Sequence, residues 1–175
     1  VTINGGGSIT GLSVGGLGSG VVNTATLASG AITSSTLPAG SVLQVKQSIR
    51  NEVATKTGSG FDAIPGLSVS ITPSSASNKI LVHVELGTVE TTGNQYGHFI
   101  RLYKGGSHLT GASATNVGSR NACFLGGRTT NNNHSQGYSG SYLDTAGGTS
   151  AITYAVYWNA EGGYGTLYLL SLIHI

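Results

Sequence analysis

Between Gly20 and Val42 an apolar residue stands at every fifth position: Val22, Leu27, Ile32, Leu37 and Val42. Leu17 and Leu12 keep the same step upstream. Two residues before each stands a small one: Thr10, Gly15, Gly20, Ala25, Gly30, Ser35 and Gly40. No charge precedes Lys46. This period fits neither standard element. Five residues of α-helix rotate the side chain by roughly 500°, so the apolar positions would spiral around it. On a straight strand an odd step sends successive apolar residues to opposite faces. To hold one face the chain must bend once per repeat. The small residues supply the bend, because glycine accepts positive φ and close backbone approach.

Two structures meet that demand, and a flexible linker is the bland alternative. One is a thin stalk in which three chains offer apolar residues to a shared axis. The other is a pentapeptide β-solenoid. The solenoid spends about twenty residues per coil and needs several coils to bury a core. Leu12–Val42 would make barely one and a half. The gapless step weighs against a linker. The stalk is the reading adopted, with Leu12, Leu17, Val22, Leu27, Ile32, Leu37 and Val42 on the axis of a homotrimer. The crowded glycines do not make a phosphate loop, since no Lys follows and no helix opens.

From Ser41 the pattern changes. Short alternating runs separated by turn clusters predict strands at Ser41–Ile49, Leu67–Thr72, Lys79–Thr88, Gly97–Lys104, Ala122–Gly126, Gln136–Leu143, Ile152–Trp158 and Thr166–Leu169. The expected fold is all-β: an extended repeat stalk over residues 1–40, then an antiparallel β-sandwich or jelly-roll head over 41–169. Alternation assigns faces. Leu67, Val69 and Ile71 share one side, as do Ile80, Val82, Val84 and Leu86, and Ile152, Tyr154, Val156 and Trp158. Phe99, Arg101 and Tyr103 oppose Ile100 and Leu102. That strand is apolar on both faces and marks a subunit contact.

Composition narrows function by exclusion. Only 8% of residues are charged and the net charge is +2, about a third of the usual charged share. The basic residues are scattered, which argues against nucleic acid. No run is long enough to span a membrane and no charged-then-apolar leader is present. Cys123 is the sole cysteine, so it reads as a buried small hydrophobe and no internal disulfide is possible. The acids Glu52, Asp62, Glu85, Glu90, Asp144 and Glu161 are far apart in sequence, whereas a glycosidase needs two of them flanking a cleft. No GxSxG elbow exists. His83 and Glu85 share one strand face, half of what a metal site needs. They read as exposed polar positions. Three copies of His83 or His98 near a trimer axis would be the route to a metal or anion site. No catalytic residue, metal or cofactor is assigned.

The loop Arg128–Gln136 carries the strongest binding signal. Its amides donate and accept, which suits sugar hydroxyls, and loops on a rigid scaffold are where binding residues concentrate. The candidate ligand set is Arg128, Asn131, Asn132, Asn133, His134 and Gln136. Tyr138 and Tyr96 stand by to stack on a sugar ring.

The segments GSVLQVKQ, GLSVSITPSSASNKILVHVELG and SGSYLDTAGGTSAITYAVYWNAEGGYGTLYL resemble the C-terminal domain of fibre-type virion proteins of tailed phages, common in marine viral sequence. The stretch GLGSGVVNTATLASGAITSSTLPAG resembles the linker repeats such proteins carry. The resemblance implies a trimeric short tail fibre or spike with a jelly-roll head, shaped like tumour-necrosis-factor-type heads. It implies a non-enzymatic virion protein, made in the host cytoplasm and working outside the cell. Its partners would be further copies of itself, other virion proteins reached through a part N-terminal to Val1, and host-surface glycan. A polysaccharide depolymerase on the same scaffold and a decoration or assembly protein without ligand are the rivals. The last six residues, Leu170–Ile175, match in one frame the translation of a transposon end used to make sequencing libraries. They are expected to be foreign, leaving the native strand cut at Leu169 and a sheet edge exposed.

Overall fold

The computed structural model describes residues 32, 36–92, 96–115, 118, 121–128, 135–163 and 165–169. Axis positions Leu12, Leu17, Val22 and Leu27, loop residues Asn131–His134 and the segment 170–175 lie outside the described residues. The chain divides into two compact units, Val1–Leu43 and Gln44–Ile175. The head thus begins three residues after the boundary drawn from composition.

In the first unit Ile32, Leu37 and Val42 are all exposed. Pro38–Ser41 forms a turn, with the Ser41 amide donating to the Pro38 carbonyl at 3.2 Å. Gly40 sits in this turn at φ +89°. That is one of the small positions of the five-residue repeat, placed in the left-handed region that a bend requires.

Among its described residues the second unit holds nine strands: β1 (Ala54–Thr57), β2 (Asp62–Ile71), β3 (Lys79–Thr91), β4 (Gly97–Lys104), β5 (Ser107–His108), β6 (Leu125–Arg128), β7 (Gln136–Thr145), β8 (Ile152–Ala160) and β9 (Thr166–Leu169). They form two antiparallel sheets. One has the order β1-β9-β3-β7; the other has β2-β8-β4-β5, with β6 also on β4. Successive long strands alternate between the sheets, which is the winding of an antiparallel β-sandwich.

Alternation explains which residues fill the space between the sheets. Val84, Leu86, Val89, Leu167 and Leu169 come from the first sheet, and Ile64, Ile100, Leu102, Val156 and Trp158 from the second. Every strand face assigned from the sequence is found as expected, including Phe99, Arg101 and Tyr103 turned away from this core. β3 changes register with β7 between Leu86 and Val89. One extra residue there is a β-bulge, and it returns Val89 to the inner face after Leu86.

Ser41–Ile49 is not a strand. The stretch from Ser41 to Val53 carries no ladder. From Gln44 onward it is held to β2 largely by side chains. The Arg50 guanidinium donates to the carbonyls of Glu52, Val53 and Pro65, each at 2.8 Å. Ser48 Oγ donates to the Gly66 carbonyl, and the Thr72 amide donates to Gln44 Oε1 at 3.3 Å. Arg50 thereby satisfies one carbonyl, that of Pro65, where β2 breaks register with β8, between Ala63 and Ser68. Gly66 at φ +79° makes that break possible.

A polar pin ties the sheets together near the other end of β4. Lys104 Nζ lies 2.7 Å from Asp144 Oδ2, and Tyr154 Oη donates to the same oxygen at 2.6 Å. Burial works to raise the Asp144 pKa, but the Lys104 and Tyr154 hydrogen bonds prevail and hold it below its ordinary value. Burial and the Asp144 carboxylate push the Tyr154 phenol up.

Candidate functional site: a polar end of the sandwich

Four residues of the sequence-derived ligand set fall within the described structure, and the fold brings them to one end of the head. β4 begins just after Tyr96. β6 ends at Arg128, directly opposite Gly97 in the ladder. β7 begins at Gln136. The described chain thus breaks off at Arg128, next to the start of β4, and resumes at Ser135. β8 delivers Glu161 to the same place, where Oε2 accepts the Gly97 amide at 2.8 Å and lies 3.9 Å from Arg128 Nη2. Ser135 Oγ donates to the buried Glu90 at 3.2 Å. This ion pair between exposed partners contributes little stability. Its effect is to point a guanidinium and a carboxylate towards solvent at the rim.

Beneath the rim lies a buried chain of polar groups. Tyr138 Oη donates to Gln136 Oε1 at 2.7 Å and also meets His98 Nε2. With its proton given to Gln136, the phenol oxygen accepts from His98, which assigns the proton of the neutral imidazole to Nε2. Nδ1 is then a bare acceptor, buried and without a partner among the described residues. His98 is only 1% exposed, and burial lowers its pKa to about 4. Burial first, and then the nearby Cys123, raise the Tyr138 phenol to about 12. At neutral pH the network is uncharged.

Gly127 makes this packing possible. A Cβ there would collide with the Tyr138 hydroxyl and come within 2.7 Å of Gln136 Oε1. The His98 and Tyr138 rings meet edge to face, 5.2 Å apart. Two sequence expectations shift accordingly. Tyr138 packs inward against the core, so it is not placed to stack on a ligand. His98 is enclosed within its own head and cannot meet copies of itself at an axis.

His83 is exposed on the outer face of β3, where Nδ1 lies 2.8 Å from Ser141 Oγ. Among the described residues no group of three His, Cys, Asp or Glu side chains could hold a metal ion. Cys123 is half-buried; burial raises its pKa and the Arg101 charge lowers it by less. Among the described residues no helix is long and apolar enough to cross a membrane.

A second surface emerged that sequence reading saw only in part. On the outer face of the second sheet, Tyr103 and Tyr157 stack with centroids 3.7 Å apart. Arg101 lies 3.7 Å from the centre of the Phe61 ring, and its Nε donates to the Ala122 carbonyl at 2.7 Å. Arg101 and His108 then line a cleft of about 560 Å³ with Thr110 and Ser113. The alternation of β4 marked Phe99, Arg101 and Tyr103. Tyr157 escaped notice because its outward neighbours Thr153 and Ala155 are small, and Phe61 because it precedes a strand.

Against models of known protein families and against curated proteins, the chain has no match.

Proposed function

We propose that this chain is a virion structural protein, a trimeric short tail fibre or spike whose head contacts host-surface glycan. The observation that carries the reading is the rim. Arg128 and Gln136 stand at the two feet of the loop bearing Asn131, Asn132, Asn133 and His134, with Tyr96 beside them. A sugar hydroxyl asks for amides and charged groups in hydrogen-bond reach and for an aromatic face. A rim built on β-strand ends offers these on a rigid base. Exposed Ile32, Leu37 and Val42 suit a stalk whose partners lie on neighbouring copies. Three weak sites per fibre then multiply into useful avidity if all can engage at once.

The aromatic outer face around Tyr103 and Tyr157 favours a second reading, in which the head serves assembly and binds no ligand. Stacked rings on an outer sheet face suit a contact between subunits.

Two measurements test the proposal. Light scattering should give a trimer, and Leu27→Asp, which puts a charge into a shared apolar axis, should dissociate it. A stable monomer refutes the stalk. Replacing Asn131–Asn133 with Ala should abolish binding to host cells and to a glycan array while leaving the trimer intact. Unchanged binding ends the glycan reading and leaves assembly.

A further inference from the structure

Between Glu90 and Asp144 the sequence holds no Asp or Glu. Arg101 lies in this stretch, on the outer face of β4, and two contacts fix its guanidinium. It sits 3.7 Å from the centre of the Phe61 ring, and its Nε donates to the Ala122 carbonyl at 2.7 Å. Among the described residues no carboxylate pairs with it, and no acceptor takes the N–H groups of its terminal nitrogens. Its charge acts on its neighbour: burial first, and then Arg101, lower the His108 pKa.

A cleft of about 560 Å³ opens beside this guanidinium, within the size range of small-ligand sites. The local fold builds its walls. Gly105 and Gly106, both at positive φ, turn the chain back after β4. That turn sets His108 opposite Tyr103 in the ladder, and so on the same face as Arg101. The chain then makes a short 3-10 turn at Thr110–Ala112. His108 Nε2 lies 3.0 Å from Ser113 Oγ, and the Ala114 amide donates to the Cys123 carbonyl at 3.3 Å. Arg101, His108, Thr110, Ser113 and Thr115 thereby surround one space. All its lining residues belong to the stretch without acids. The cleft is a positive hollow, lined with hydroxyls, whose own lining supplies no counter-charge. From His108 a row of rings leads away: Tyr103 lies 5.8 Å from His108 and 3.7 Å from Tyr157.

We propose that this cleft binds an acidic sugar, of uronic or sialic type, with its carboxylate on Arg101 and its ring hydroxyls on Thr110, Ser113 and Thr115. One planar guanidinium matches one planar carboxylate in charge and shape, and takes it through parallel N–H···O bonds. Hydroxyl side chains donate and accept, as sugar hydroxyls require. The Tyr103 and Tyr157 rings offer an apolar track to a further sugar of the same glycan. The cleft shares no residue with the rim at Arg128, so the acidic-sugar site and the rim site stand or fall separately.

The test is an amide NMR titration of the full isotope-labelled chain with glucuronate, N-acetylneuraminate, glucose and acetate. At least one of the two acidic sugars should shift the amides of His108–Ser113, with a Kd on the order of 1 mM. Glucose and acetate should bind at least about tenfold more weakly, since each lacks half of the recognised chemistry. Arg101→Gln should weaken the acidic sugar about tenfold or more, and Arg101→Lys, which keeps the charge but not the fork, severalfold. Should Arg101→Gln not fold, Ser113→Ala leaves the guanidinium and its two contacts in place and should weaken binding severalfold. Binding no tighter than acetate overturns the proposal, because a carboxylate alone would then account for it. So does binding that survives Arg101→Gln, or the absence of any shift with either acidic sugar. Shifts confined to Arg128 and Gln136 overturn it as well and put the sugar at the rim.

Discussion

Acidification should destabilise this head through one buried imidazole. His98 is 1% exposed. Its surroundings supply a phenol and the carboxamide behind it, so nothing in direct contact compensates a proton on the ring. The folded-state pKa is about 4, against 6.5 for the free side chain. The unfolded chain therefore binds the proton first. The stabilising effect of keeping His98 neutral is fully present above the unfolded value and is lost as pH falls through the window from 6.5 to 4. From these two values the loss is about 1.4 kcal/mol at pH 5.5 and about 2.5 kcal/mol at pH 4.5. The assay is urea unfolding at pH 7.5, 5.5 and 4.5 of the natural chain and of His98→Gln, which cannot titrate. Carboxylates and the other histidines contribute to both curves and cancel in the difference. The variant should start less stable and lose less on acidification, by these amounts. Should His98→Gln fail to fold, NMR titration of the natural chain reads the same quantity from the His98 ring. Parallel curves, or a ring that titrates above pH 6, would refute the reasoning.

Gly127→Ala should cost about 2 kcal/mol through overpacking and disturb the phenol of Tyr138. An ultraviolet titration should show that tyrosine ionising below its present value of about 12. Asp144→Asn should cost about 1–2 kcal/mol, because the half-buried Lys104 ammonium loses its counter-charge and keeps only the Thr145 carbonyl. Since the Asp144 pKa is depressed in the fold, its contribution holds above the unfolded carboxylate pKa and disappears as pH falls through the folded one. The Asn variant should therefore lose its disadvantage in strong acid. Tyr154→Phe should cost about 1.5 kcal/mol, and a double-mutant cycle with Asp144→Asn should show the two coupled. Arg50→Met should cost about 1 kcal/mol and speed amide exchange across 44–53, since three carbonyls lose a shared donor.

The inner faces were legible because burial writes itself as period two. Gly97–Lys104 and Thr166–Leu169 emerged with the bounds expected, and the rows of β3 and β8 pack as drawn. The strand over Asp62–Ile71 was seen only from Leu67. Pro65 and Gly66 read as punctuation, whereas in the fold they form an irregularity inside a longer strand. β1 left no signal because its inward residues are Ala54 and Lys56. The Lys56 ammonium is buried against Asp62, whose own side chain faces solvent, a choice no apolar pattern reveals. Ser41–Ile49 failed for the converse reason. Its alternation is real, but Leu43, Val45 and Ile49 are exposed. At the rim, Arg128 and Gln136 were legible as loop residues rich in polar groups. The His98–Tyr138–Gln136 chain was not, because it joins β4 to β7 across two sheets and depends on the missing side chain of Gly127.

The pairing of β1 with β9 also sets a timetable. Among the described residues β1 has no other ladder partner. Thr57 and Thr166, which face each other, are 109 positions apart. At about 5–20 residues per second of synthesis, β1 waits on the order of 5 to 20 s on the ribosome for the strand that secures it. Throughout that wait the nascent sheet has β3 as its border as well, so neighbouring polysomes offer the same open borders to one another. The codons for β9 thus govern whether a crowded cell accumulates finished heads or entangled ones.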